Sequence, residues 1–209
     1  MSIEKNIFAY NLEDWWEKTF SNYEKNYISQ KYQPLSTGIE NQTTESTTSN
    51  YTPSIPDFIF LAQLSNWFLS KEGFDIARKV VEKAESLFDS SKADVLDLHF
   101  YYYNLLKFFY KNREDSVCYE KAKECCQKQI EISKKAKKCF KSEYKNSPLP
   151  SHPGYEQLCI IYEKEGKFEE AFALAQNAEK EGWNGDWEGR MKRLEKKMKK
   201  DAAKPRPIT

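Results

Sequence analysis

Seven side chains are of a type that does chemistry at a metal or a nucleophilic centre: Cys118, Cys125, Cys126, Cys139 and Cys159, with His99 and His152. A zinc site needs four such ligands brought together, usually from closely spaced pairs. Cys118 and Cys125 lie two helical turns apart on one face, with Cys126 adjacent, but no CxxC pair occurs and only two histidines are available. Cys126 and Cys159 fall at small-residue positions of helical stripes, which suits buried structural thiols. Asp94, Asp97 and His99 cluster at a helix start, where capping and the helix dipole account for the acids. No nucleophile–base pair, phosphate loop or zincin motif appears. The expectation is a protein that is not an enzyme and uses no cofactor or metal.

The elements around these residues read as helices. The 209 residues contain only 7 glycines, aromatics make up 15 %, and Lys and Glu dominate the polar positions. That composition favours helices over short strands with glycine-rich turns. It is enough chain for about one domain with its own core. The formal charge of +1 points to no nucleic-acid or membrane partner by itself. The start, MSIEKNIFAY, has no apolar signal-peptide core, and no apolar run reaches membrane-spanning length. With an odd number of cysteines, this predicts reduced thiols in a soluble, cytoplasmic protein with no membrane association.

Residues 11–31 read as one helix capped by Asn11, with Leu12, Trp16, Phe20, Tyr23 and Tyr27 as its apolar stripe. Residues 35–54, rich in Ser, Thr and Asn, read as a flexible polar loop. Three helix pairs follow over residues 57–183. The first carries Leu61, Leu64, Phe68, Phe74, Ala77, Val81 and Ala84, and the second begins near Asp94 with the aromatic run HFYYYNLLKFFY. Residues 134–144 are either a continuation of the second pair or a further short helix. Residues 146–153 contain three prolines and break the pattern. The third pair, Tyr155 to Trp183, turns at Gly166, and Asp186 caps a basic helix over 186–200.

The third pair offers Tyr155, Leu158, Cys159, Tyr162, Gly166, Phe168, Ala171 and Ala178 in an order that resembles the tetratricopeptide repeat. It departs at Ala175, where a large residue is usual, and at Trp183, where proline is usual. The first pair follows the pattern moderately. The second follows it weakly, through Tyr103, Leu106, Tyr110, Tyr119 and Ala122. Ala77, Ala122 and Ala171 are 45 and 49 residues apart, against a 34-residue repeat, so the likeness is to divergent repeats with insertions. It implies a single all-α domain over 1–209: a TPR-like antiparallel helix-pair solenoid with an extra N-terminal helix and a C-terminal capping helix of about eight or nine helices in all.

In that family the first helix of each pair lines a concave groove that binds peptides or proteins. The resemblance places Ile59, Ala62 and Asn66 there from the first pair. It adds Tyr101, Asn104, Phe108 and Lys111 from the second, and Glu156, Ile160 and Glu163 from the third. The implied partner-binding residues are Asn66, Tyr101, Asn104, Phe108, Lys111, Glu156 and Ile160. The alternative use of Tyr101 and Phe108 is core packing. A carboxylate clamp is not expected, because Asn66 alone matches it and Glu156 and Glu163 would repel a carboxylate. The expected function is a non-catalytic protein–protein interaction module for an unknown protein or peptide. The alternative is a nucleic-acid-associated factor using the basic C-terminal helix. From Arg190 to Arg206 there are nine Lys or Arg against Glu195 and Asp201, and Lys134, Lys135, Lys137, Lys138 and Lys141 form a second cluster. The plainer reading of the C-terminal segment is a solvated capping helix with Met191, Leu194 and Met198 as its seam, and the absence of interleaved aromatics to stack bases counts against the nucleic-acid alternative.

Overall fold

The structure is a computed structural model that describes residues 2–34 and 53–203. Among the described residues it is all-helical, with eleven α-helices, two short 3-10 turns and no strand. None of these helices is long and apolar enough to cross a membrane. The chain divides into two compact units, Met1–Asp97 and Leu98–Thr209. Most of the expected loop at 35–54 lies outside the described residues.

In the first unit the expected helix at 11–31 is two helices, preceded by a third. They are α1 (Ile3–Ala9), α2 (Glu13–Thr19) and α3 (Asn22–Lys31). The break at Phe20 and Ser21 has a local cause. Ser21 and Glu24 form a capping box in which the hydroxyl takes the Glu24 amide and the carboxylate takes the Ser21 amide. That reciprocal pair satisfies two end donors and restarts the helix. Asn11 is not a cap, because its φ of 54° is left-handed and it turns the chain between α1 and α2. Of the expected stripe, Leu12, Trp16 and Phe20 are buried, whereas Tyr23 points to solvent.

The first expected pair is present as α4 (Asp57–Ser65), a 3-10 turn at Asn66–Phe68, and α5 (Phe74–Ser86), with α4 packed on α5. Phe58, Leu61, Leu64, Phe68, Ala77, Val80, Val81 and Ala84 are buried. Lys79 ties α5 to the N-terminal helices. It donates to the Thr19 carbonyl and to the Glu24 carboxylate, and lies over the Phe20 ring. Burial alone would raise the Glu24 carboxyl. The Lys79 and Ser21 hydrogen bonds outweigh it and hold that group below the usual carboxylate range.

The second unit begins within α6 (Val95–Lys111) and continues with α7 (Ser116–Glu131), α8 (Ser133–Glu143), α9 (Pro153–Lys164), α10 (Phe168–Glu181) and α11 (Trp187–Ala202). Residues 134–144 are thus almost wholly a separate helix, set off from α7 at Ile132. The helices α7, α9, α10 and α11 pack in succession, each on the next, and α8 stands outside that series. Ala122, Cys126, Cys159, Ala171, Ala175 and Ala178 are all fully buried along it. Side chains this small let helix backbones approach closely, and their spacing of three to four residues keeps them on one face. Gly182 takes φ 84° and closes α10 with a left-handed cap, the conformation glycine adopts without a Cβ penalty.

Candidate functional site

Asn66 lies in the first unit, and the other six predicted binding residues lie in the second. Asn66 ends α4, and its amide donates to the Ala62 carbonyl at 3.0 Å. On α6, Tyr101 and Phe108 are 3 % exposed and Asn104 9 %, so the three project inward; Lys111, in the last turn, is exposed. The aromatic residues of this face are core residues. A run of rings on a helix has the same spacing in either role, and burial is what separates them.

Glu156, Ile160 and Glu163 occupy one face of α9, at positions i, i+4 and i+7, and all three are half-buried. The cations of α11 meet this face. Arg190 reaches Glu163 at 2.6 Å and Lys197 reaches it at 2.9 Å, with the Arg190 and Glu163 side chains each 16 % exposed. Burial pushes the Glu163 carboxyl up, but Lys197 and Arg190 outweigh it and hold it below the carboxylate range. Glu156 has no such pairing among the described residues; burial raises its carboxyl and Arg190 only partly offsets this. The face is therefore a strip of alternating acid and apolar surface bordered by two cations. It can hold a complementary side chain but presents no nucleophile beside a base.

Helix α11 uses much of its charge locally. Besides Arg190 and Lys197, Lys192 pairs with Glu188 and Arg193 with Asp186, the residue that caps the helix through the Gly189 amide. Leu194 and Trp187 are buried as its seam. Met191 and Met198, expected beside Leu194, are only partly covered.

The two histidines, distant in sequence, meet in the core of the second unit. Their rings lie 5.0 Å apart, edge to face. Trp183 stacks on His99 at 6.2 Å and meets His152 edgewise at 4.7 Å, and Phe140 of α8 meets His99 at 5.6 Å. His152 caps α9, its Nδ1 accepting from the Tyr155 amide at 3.2 Å. That acceptor role leaves the ring proton of the neutral form on Nε2. His152 Nε2 and His99 Nδ1 have no hydrogen-bond partner among the described residues. Burial pushes the His99 pKa down to about 4. Burial, with the charge His99 would carry, pushes His152 down to about 3. Both imidazoles are held neutral.

Gln129 organises the same region. Fully buried on α7, it donates to the His99 carbonyl of α6 at 2.9 Å and accepts from the Gly154 amide of α9 at 2.6 Å. A Cβ on Gly154 would stand 2.8 Å from the Gln129 side-chain oxygen and 2.9 Å from the Cys126 carbonyl, so only glycine fits there. All five cysteines are free thiols. Burial drives Cys126 up to about 12 and Cys159 up to about 11, and among the described residues no group of three or more metal-binding side chains assembles. Nothing in the sequence pairs the two histidines as ring neighbours. The available signals were that they are the only two and that His152 immediately precedes the Pro-Gly helix start.

No family model matches the chain, and no curated protein or solved structure matches it.

Proposed function

We propose that the second unit is a TPR-like helix-pair stack acting as a non-catalytic protein-interaction module, with the α9 face as its contact surface. The observation that carries the reading is the succession of packed helices α7, α9, α10 and α11. Stacked helix pairs of this kind leave one helix of each pair to line an extended surface, and such surfaces commonly bind peptides. On α9 that surface is Glu156, Ile160 and Glu163, bordered by Arg190 and Lys197. A partner segment with an apolar side chain for Ile160 and a cationic or amide group for Glu156 matches it in chemistry. A hydrogen-bonding neighbour for Glu156 would also relieve the cost of holding that half-buried carboxylate charged.

The test is site-specific photo-crosslinking in native lysate. A benzophenone side chain is placed at Ile160, and separately at Ala173, an exposed position of α10. One discrete protein adduct from position 160, absent from position 173, is the expected result. Equal labelling at both positions, or none at 160, refutes the assignment of this face.

A further inference from the structure

Helix α8 carries a run of lysines that no ion pair neutralises among the described residues. Lys134, Lys137, Lys138 and Lys141 fall at i, i+3, i+4 and i+7, so they form one stripe about 10 Å long on a single side of the helix. Lys135 and Lys145 flank it. None of these six lysines makes an ion pair among the described residues, whereas four cations of α11 do. The helix is fixed in place by its other side, where Ser133, Ala136 and Phe140 are buried.

Two exposed aromatic rings lie against Phe140, in the C-terminal half of α8. Tyr144, which closes α8, is 57 % exposed, and Phe100 of α6 is 42 % exposed. Both contact the buried Phe140, whose ring lies 6.5 Å from Tyr144 and 6.1 Å from Phe100. Lysines in a row attract successive phosphates, and exposed rings beside them offer faces on which unpaired bases stack. We propose that α8, with Tyr144 and Phe100, is a binding surface for single-stranded nucleic acid. It would grip the phosphate backbone without reading sequence. The rings favour single-stranded nucleic acid over an acidic peptide, because unpaired bases can use the lysines and the stacking faces together. The burial of the helix's apolar side disfavours an anionic membrane, because an interfacial helix inserts that side into the lipid.

The test is fluorescence anisotropy with the full chain and a labelled 12-nucleotide oligo-uridine, between 50 and 200 mM salt. Four phosphate contacts give a slope of log K against log salt of about −2.8, and removing the four lysines as alanines flattens it and weakens binding by at least about tenfold. Tyr144→Ala is expected to weaken binding by about tenfold. Lys196→Ala/Lys199→Ala/Lys200→Ala on α11 is expected to leave most of it. As a check independent of variant folding, the oligonucleotide should protect the α8 lysines of the unaltered protein from acetylation. Absence of binding at 50 mM salt, binding indifferent to the α8 lysines, or acetylation unaffected by the oligonucleotide overturns the proposal. So does tighter binding to vesicles containing phosphatidylserine, or to poly-glutamate, than to oligo-uridine.

Discussion

Helices α8 and α11 are alike in composition and differ in what they do with their charge. Each is rich in lysine, and each buries a short apolar seam. On α11 the charges are turned to structural use. Arg190 and Lys197 close on Glu163 of α9, and Arg193 holds the capping Asp186. On α8 the lysines make no ion pair among the described residues, and the side the helix buries is Ser133, Ala136 and Phe140. The difference teaches that a count of basic residues measures potential charge. The charge left for a partner depends on which acids the fold brings alongside. Pairs that are partly desolvated and cross between helices contribute to stability, whereas exposed lysines contribute almost none.

Four perturbations would break or sharpen this contrast, and acid is expected to have the largest effect. His99 and His152 underlie both helices' attachment, touching Phe140 of α8 and Trp183 just before α11. Their folded pKa values, about 4 and about 3, lie below the ordinary 6.5. A lowered base means that the unfolded chain binds the proton first. Stability is therefore complete above about pH 6.5 and falls as the pH drops toward 4 and then 3, by roughly 1.4 kcal/mol per pH unit for each histidine. Urea unfolding at pH 7 and pH 5 measures it. The loss should shrink in a His99→Gln/His152→Gln variant, and an equal loss there would exclude the histidines as its source.

Next in size is Leu194→Ala, which removes the fully buried seam residue of α11 and is expected to cost about 3 kcal/mol in the same assay. Glu163→Gln should follow, costing roughly 1–2 kcal/mol, because Arg190 and Lys197 lose their shared partner in a half-buried place. The smallest expected change comes from converting Lys134, Lys137, Lys138 and Lys141 together to alanine. Alanine is the better helix former and no ion pair is lost among the described residues, so stability should move by less than about 0.5 kcal/mol in all and need not fall. A marked destabilisation there would mean that the α8 lysines are structural, and the contrast with α11 would disappear.

The helix pairs α4/α5 and α9/α10 and the basic helix α11 were legible in the sequence, because a continuous apolar face at helical spacing leaves few other solutions. The N-terminal region was less so. Its stripe from Leu12 to Tyr27 keeps helical spacing straight through Ser21, and only the Ser21–Glu24 capping box betrays the break. Helix α1 has a single turn-to-turn apolar pair, Ile3 and Ile7, and is too short for a periodicity reading. For the site, the α9 residues lie on a half-buried face, and of the two uses the sequence left open for Tyr101 and Phe108, groove or core, their burial matches the core. Nothing local distinguishes the two, since burial depends on what distant segments cover. The same limit hid the His99–His152–Trp183 cluster, which exists only once α6, the start of α9 and the end of α10 converge. Ion pairing is the subtlest of these properties. Glu163 and Arg190 are far apart in sequence, and their pairing is what separates α11 from α8.

Hydrogen exchange of the α9 and α11 amides in two variants measured side by side tests that separation most directly. In Arg190→Ala/Lys197→Ala, exchange across both helices should quicken by about tenfold, as an opening free energy lower by about 1.4 kcal/mol requires. In the four-lysine α8 variant it should stay at the level of the unaltered protein. Faster exchange in the α8 variant, with none in the α11 variant, would contradict the division of roles between the two helices.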